Sequence, residues 1–262
     1  MSNLSMKSSA LARRIRNKIK LPLPIFRVLH RSDPQFECPI CSYEGPFFAV
    51  YSFAGNRSHA ECPSCGSLER HRLQFLVIQR LISECGSARD KLRVLHFAPE
   101  KCFSPLFAGV SQYDTADLFA PGVKFRCDIR RMQFADASYD FFLASHVLEH
   151  VQEDMQAIAE IRRILRANGI AVLPVPIVCD KTIEYGAPNR NEGDHVRAPG
   201  VDYFDRYRSH FTSVEVFTSD LFPRKHQVYV YEDRSIWPTP ECPYRRPMSG
   251  EKHLDFVPVC RV

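Results

Sequence analysis

Cys38-Pro-Ile-Cys41 and Cys62-Pro-Ser-Cys65 have the sharpest chemical spacing in this chain. Two residues between cysteines let both thiolates of a tight turn face one ion, and two such turns supply the four sulfurs of a closed tetrahedral zinc site. Four thiolates leave no open coordination position, so the zinc expected on Cys38, Cys41, Cys62 and Cys65 is structural. A redox Cys-x-x-Cys pair would instead sit on a thioredoxin-like helix. Between the pairs, Phe47, Phe48, Val50, Tyr51 and Phe53 favour a short β-hairpin, with Gly55-Asn56 as its turn. His59 lies close by, but four sulfurs make it a bystander.

Three histidines have the type and placement for proton transfer: His146, His150 and His195. Imidazole titrates near neutrality, which suits a general base. His146 follows an apolar run, His150 stands beside Glu149 at the start of the next helix, and His195 belongs to Gly193-Asp194-His195-Val196-Arg197. Each has an ordinary alternative. Glu149 and His150 would cap a helix and meet its dipole, and His195 would be a solvated loop residue. Glu69, Arg70, His71 and Arg72 open another helix and either meet a ligand or pair with each other.

The elements that must hold these residues alternate between strand and helix from residue 91 onward. Apolar runs at 92–97, 139–144 and 170–175 predict strands, 112–117 is read as a further strand ending in acid, and Pro99 is suited to the first position of a helix. A long helix is expected from Leu148, with Val151, Met155, Ile158, Ile161, Ile164 and Leu165 on its buried face and Asn168-Gly169 as its stop. A polar loop at 181–200, a helix at 203–210 and strands at 213–218 and 227–232 follow. Ser67 caps a helix running to about Ser83. Such alternation implies an α/β fold, a largely parallel sheet with helices on both faces, preceded by a small zinc-ribbon-like β module. The expected organisation is a basic arm at 1–35, the zinc module at 36–66, a connecting helix at 67–90, the α/β domain at 91–235 and an irregular Pro-rich tail at 236–262.

The 262 residues are 45% hydrophobic and 25% charged, the composition of a packed globular protein. No apolar run reaches the length of a membrane span. The net charge of +5 is concentrated in the arm, where Lys7, Arg13, Arg14, Arg16, Lys18, Lys20, Arg27 and Arg31 face Asp33 alone, so the rest of the chain is net acidic. That distribution disfavours a nucleic-acid-binding body. A basic helix at 10–20 is suited to an anionic membrane surface or RNA, with a targeting segment or a solvated terminus as alternatives. Ten cysteines without a secretory pattern fit a reducing, cytoplasmic setting.

Cys127-Asp128-Ile129, Phe134-Ala135-Asp136-Ala137-Ser138-Tyr139-Asp140-Phe141, Val147-Leu148-Glu149-His150-Val151 and the run from Arg163 to Gly169 occur in that order. The block resembles the class I S-adenosylmethionine-dependent methyltransferase superfamily, in its type 11 branch, over roughly residues 91–231. The resemblance implies a Rossmann-like sheet with S-adenosylmethionine across the carboxyl ends of its first strands. Asp117, some 20 residues beyond His96, has the spacing of the acid that binds ribose hydroxyls, and Asp114 competes with it. Asp128 and Ile129 match the adenine grip; the alternative for Asp128 is a helix N-cap. His96, Ala98 and Glu100 replace the family's acid and closely spaced glycines beside the methionine moiety. Glu100 either supplies the missing carboxylate to the cofactor's ammonium or marks a degenerate pocket. His146 is expected to face the methyl group. The implied activity is methyl transfer to a small molecule or glycan. The alternatives are a non-catalytic binding protein on a degenerate fold and an RNA methyltransferase.

Overall fold

The computed structural model describes residues 21–262 and divides them into two units. The candidate basic helix at 10–20 lies outside the described residues. Among the described residues, the first unit starts with a short helix, α1 (Leu23–Leu29), preceded by Pro22 and burying Phe26. Two strands follow, β1 (Phe36–Glu37) and β2 (Glu44–Gly45), then the hairpin β3 (Phe48–Ser52) and β4 (Gly55–Glu61). Phe53-Ala54 make the hairpin turn, because Ser52 pairs with Gly55. The expected turn at Gly55-Asn56 is therefore displaced into the strand. Helix α2 (Glu69–Glu84) starts in this unit and continues past its boundary at Leu73.

The second unit holds the larger sheet. Strands β5 (Arg93–Phe97), β6 (Gln112–Asp117), β7 (Phe125–Arg126), β8 (Tyr139–Ala144) and β9 (Leu165–Val172) are all parallel, in the order β7-β6-β5-β8-β9. Helix α3 (Asp154–Ile164) buries Ala157, Ile158, Ile161 and Ile164, the three- and four-residue steps legible in the sequence. Met155, expected on that face, is instead exposed. The helix also stops earlier than expected. Asn168 and Gly169 lie within β9, where the register shifts between Tyr139 and Phe141 of the partner strand. A Cβ on Gly169 would come within 2.8 Å of the Arg166 carbonyl oxygen, so this bend requires glycine.

Residues 181–200, expected to be a loop, form an antiparallel pair, β10 (Ile183–Asn189) and β11 (His195–Ala198). The α4 helix (Phe204–Arg208) and strand β12 (Ser213–Thr218) follow. No α-helix follows Pro99; a 3-10 turn at Ser104–Phe107 takes its place.

The chain then returns to the first unit. β13 (Val230–Glu232) pairs with β4, and β14 (Lys252–His253) with β13, giving the order β14-β13-β4-β3. Trp237 is buried beside them and donates Nε1–H to the Ala54 carbonyl. Residues 219–255 thus depart from the expected boundaries at 235 and 236, since long-range pairing, which the local pattern does not encode, decides the partner. The final strand, β15 (Phe256–Arg261), lies antiparallel between β12 and β9 in the second unit. The supposedly irregular tail therefore supplies an inner strand, disguised by Pro258 in its middle. The completed order, β12-β15-β9-β8-β5-β6-β7, is that of the Rossmann-like methyltransferases. No helix among the described residues is long and apolar enough to cross a membrane.

Candidate functional sites

The first unit brings its four expected cysteines together. Their sulfurs all lie within 4.8 Å of one another, with Cys38 to Cys65 at 3.7 Å and Cys41 to Cys62 at 3.6 Å. Four sulfurs each 2.3 Å from a zinc ion stand about 3.8 Å apart in a tetrahedron, so the spacing fits. Two equivalent turns produce it. The Ser42 amide donates to the Cys38 carbonyl and the Gly66 amide to the Cys62 carbonyl, both at 2.9 Å. Ser42 (φ 59°) and Gly66 (φ 72°) are both left-handed. Arg72, fully buried, donates to the carbonyls of Ser67, Ala60, His226 and Gln227 and lies over the Phe47 ring. Glu69 pairs with Arg57, and His71 accepts the Leu68 amide. Those first-turn residues of α2 serve this unit's own packing.

The second unit contains a cavity of about 550 Å³. It lies outside the carboxyl ends of β5, β6 and β8, where the sheet order reverses direction. Of the residues expected at a cofactor, Ala98, Asp117, Asp128, Ile129 and His146 line it, with His150. Ala98 adopts φ 49°, a conformation usually left to glycine, and its amide bonds the Ala116 carbonyl. Asp117 ends β6, and its Oδ1 accepts the amides of Phe119 and Ala120 at 2.6 and 2.7 Å, which fixes the carboxylate. The competing Asp114 is fully buried and held by Gln112, Lys124 and Tyr139, so its role is internal. Asp128 makes a forked pair with Arg130, whose Nη2 lies 2.6 Å from Oδ2, and it also accepts the Arg130 amide. These bonds hold its carboxyl below the usual range. Asp128 forms a tight turn here, not a helix cap.

His96 and Glu100 do not line the cavity, a correction to their expected cofactor contacts. His96 is buried, bonds the Tyr113 hydroxyl through Nδ1 at 2.8 Å and accepts the Glu100 amide on Nε2 at 3.3 Å. Burial pushes its pKa down to about 4. It braces the loop after β5 from behind.

The three candidate bases converge around Glu149. His150 and His195 pack edge to face, 4.7 Å between centroids, and His146 Nδ1 lies 3.2 Å from Glu149 Oε1. Burial would raise the Glu149 carboxyl, but His146, followed by His150 and His195, outweighs it and holds the carboxyl low. His195 is buried on β11, not solvated in a loop. Two residues further on, Arg197 is buried and donates to the carbonyls of Leu148 and Val151 at 2.7 Å and Gln152 at 3.0 Å. It fastens β11 to the turn bearing Glu149 and His150. Sequence reasoning missed Arg197, and it missed Phe119, an exposed ring on the cavity wall. The available signal for Phe119 was an apolar pair, Leu118-Phe119, directly after the acid that ends a strand.

No curated protein matches the chain. Among solved structures it is similar to an S-adenosylmethionine-dependent methyltransferase from Mesorhizobium loti, at 14% identity, covering 70% of this chain and 96% of that one, with a TM-score of 0.45. It is likewise similar to the YcgJ protein of Bacillus subtilis (14% identity, 71% and 96% covered, TM-score 0.43). A SAM-dependent methyltransferase from Thermotoga maritima is a third (15%, 73% and 90%, TM-score 0.43). These likenesses are too distant to bear on the chemistry. Residues 108–173, from just before β6 to just after β9, match the family model described as a methyltransferase domain.

Proposed function

We propose that the protein binds S-adenosylmethionine in the 550 Å³ cavity and transfers its methyl group to a small-molecule or glycan acceptor. The position of the cavity carries this reading: it occupies the crevice where an open α/β sheet takes a nucleotide-like ligand. Asp117 would accept the ribose hydroxyls, and Phe119 and Ile129 would flank the adenine. The loop at Ala98 would pass close to the methionine moiety, because its backbone already has the conformation that glycine supplies in the family. When bound, the cofactor supplies a sulfonium methyl for in-line displacement. The chain's own part is positioning, with His146, His150 and His195 as candidates to hold the acceptor's proton.

The four-cysteine cluster would hold one structural zinc ion, on the fit of its sulfur spacing and its paired turns. Buried Arg72 would then offset the negative charge that four thiolates leave around a divalent ion.

Replacing Asp117 by Ala is expected to weaken S-adenosylmethionine binding by about 1.5–3 kcal/mol, the range for hydrogen bonds to a charged group. That is roughly ten- to hundredfold in Kd, measured by calorimetry. An unchanged Kd would remove Asp117 from the site. A second reading, a binding protein on a degenerate fold, is favoured by the Arg130 fork on Asp128 and the missing helix after β5. It requires that the wild type show no saturable binding in the same titration.

A further inference from the structure

We propose that Glu149, His150 and His195 form a divalent transition-metal site at the wall of this cavity, separate from the four-cysteine cluster. Each residue offers a donor atom, and the three donors lie within 4.8 Å of one another. Small side-chain rotations would bring them to the ~2.1 Å ligand distances of such an ion.

The decisive observation is Glu149. It is fully buried, and neither carboxylate oxygen has a hydrogen-bond partner among the described residues. His146 approaches one oxygen at ion-pair distance without hydrogen-bond alignment. His146 offsets part of the cost, but a fully buried carboxylate with neither oxygen hydrogen-bonded still lacks the partners that burial demands. A cation coordinated by one oxygen removes the penalty, and His146 beside the carboxylate would orient the ligand from outside the coordination shell.

The scaffold is rigid at this point. Glu149 and His150 share the 3-10 turn Leu148–His150, His195 lies on β11, and the Arg197 guanidinium ties the two together. Two imidazoles and one carboxylate suit manganese, iron, cobalt or zinc more than calcium or magnesium, which prefer all-oxygen shells. Three protein ligands also leave positions open, in contrast to the four-sulfur cluster. His150 belongs to the cavity lining, so those positions are accessible from it.

The consequence for chemistry rests on the reading of the cavity as a methyl-transfer site. The ion would take an acceptor hydroxyl oxygen and lower its pKa. The O–H bond breaks, and with His150 and His195 as ligands the proton passes to His146 or to solvent. The oxygen then bonds to the methyl carbon as the carbon–sulfur bond breaks, its electron pair returning to sulfur to give the neutral thioether. The acceptor is therefore a hydroxyl compound able to reach the metal.

The test uses the full chain carrying one zinc, with excess metal removed. Mn²⁺ is titrated with the free ion followed by electron paramagnetic resonance, and Zn²⁺ uptake is followed by metal analysis. One divalent ion per chain beyond the first zinc is expected. Glu149→Gln and His195→Gln should each weaken that second site at least tenfold while circular dichroism stays native. His195→Gln serves alone if Glu149→Gln does not fold. Uptake that stops at one ion for both metals, or folded variants that bind like the wild type, overturns the site. S-adenosylmethionine binding is titrated on the same samples. Cofactor binding without a second metal overturns the metal site and leaves the cofactor reading standing. A second metal without cofactor binding supports the site and overturns that reading.

Discussion

The imidazole of His96 is a hydrogen-bond relay whose protonation state is set by its neighbours. A backbone amide can only donate, so Nε2, which accepts from Glu100, is unprotonated and Nδ1 carries the hydrogen toward Tyr113. Charging this ring would break the Glu100 contact inside a buried pocket. The folded pKa of about 4 lies below the ordinary 6.5, so the unfolded chain takes the proton first as pH falls. Stability from this group is intact above about pH 6.5 and declines toward pH 4, by on the order of 3 kcal/mol over the window. Urea unfolding at pH 7 and at pH 4.5 should show a larger loss for wild type than for His96→Gln. Equal losses would mean that the ring is not buried in its neutral form. The resemblance to a family motif marked position 96 and assigned it to a ligand. What decides its role is the Tyr113 hydroxyl from the neighbouring strand, a partner invisible in a local window. Asp117 was legible as the acid closing a strand, and the structure places it on the cavity wall.

At the scale of elements, the arrangement depends on the join between β11 and the turn at 148–152. Arg197 donates to three main-chain carbonyls at the turn, those of Leu148, Val151 and Gln152, and pairs with Asp154 at 3.5 Å and Glu184 at 3.1 Å. Removing one partner of a buried ion pair costs about 3–5 kcal/mol. Arg197→Leu should lose stability in that range, read from the denaturant midpoint. Arg197→Lys should recover only part of it, because an ammonium lacks the planar fork. If Arg197→Leu is as stable as wild type, the join is held by something else. Helix α3 was legible because burial at every third and fourth position leaves a periodic trace. The β10–β11 pair was not, because polar residues such as Glu184, Asn189 and Arg197 form its strands, and Arg197 is buried only by virtue of its ion pairs and main-chain acceptors. The helix expected after Pro99 failed for a different reason: the segment is short and its aromatic side chains, Phe103 and Phe107, are drawn into the core.

At the scale of the whole molecule, the two units offer two separate ligand handles. A ligand present at a hundredfold its Kd stabilises the folded form that binds it by about 2.7 kcal/mol. In differential scanning calorimetry, S-adenosylmethionine should raise the transition of the unit containing residues 74–218. A strong zinc chelator, or Cys38→Ser, should lower that of the unit containing the cysteines. A melting profile indifferent to chelation would end the assignment of a structural zinc. The sequence indicated two modules, since cysteine spacing and strand–helix alternation are both local signals. It did not indicate that residues 219–255 return to the cysteine unit. β13 is a short apolar run that reads alike beside either sheet, and only its register with Arg57 and Ser58 fixes its place.

The position of β15 has a consequence for biosynthesis. Among the sheet's strands it is the last to leave the ribosome, yet it lies between β9 and β12 and pairs with both. Until Arg261 has emerged, those two strands present open edges, and unpaired edges invite association with other chains. Folding of this sheet therefore waits for residue 261, and a nascent chain stalled near residue 255 would be a substrate for chaperones. A deletion of the seven residues from Phe256 to Val262 would remove an inner strand and leave β12 without a partner in the sheet.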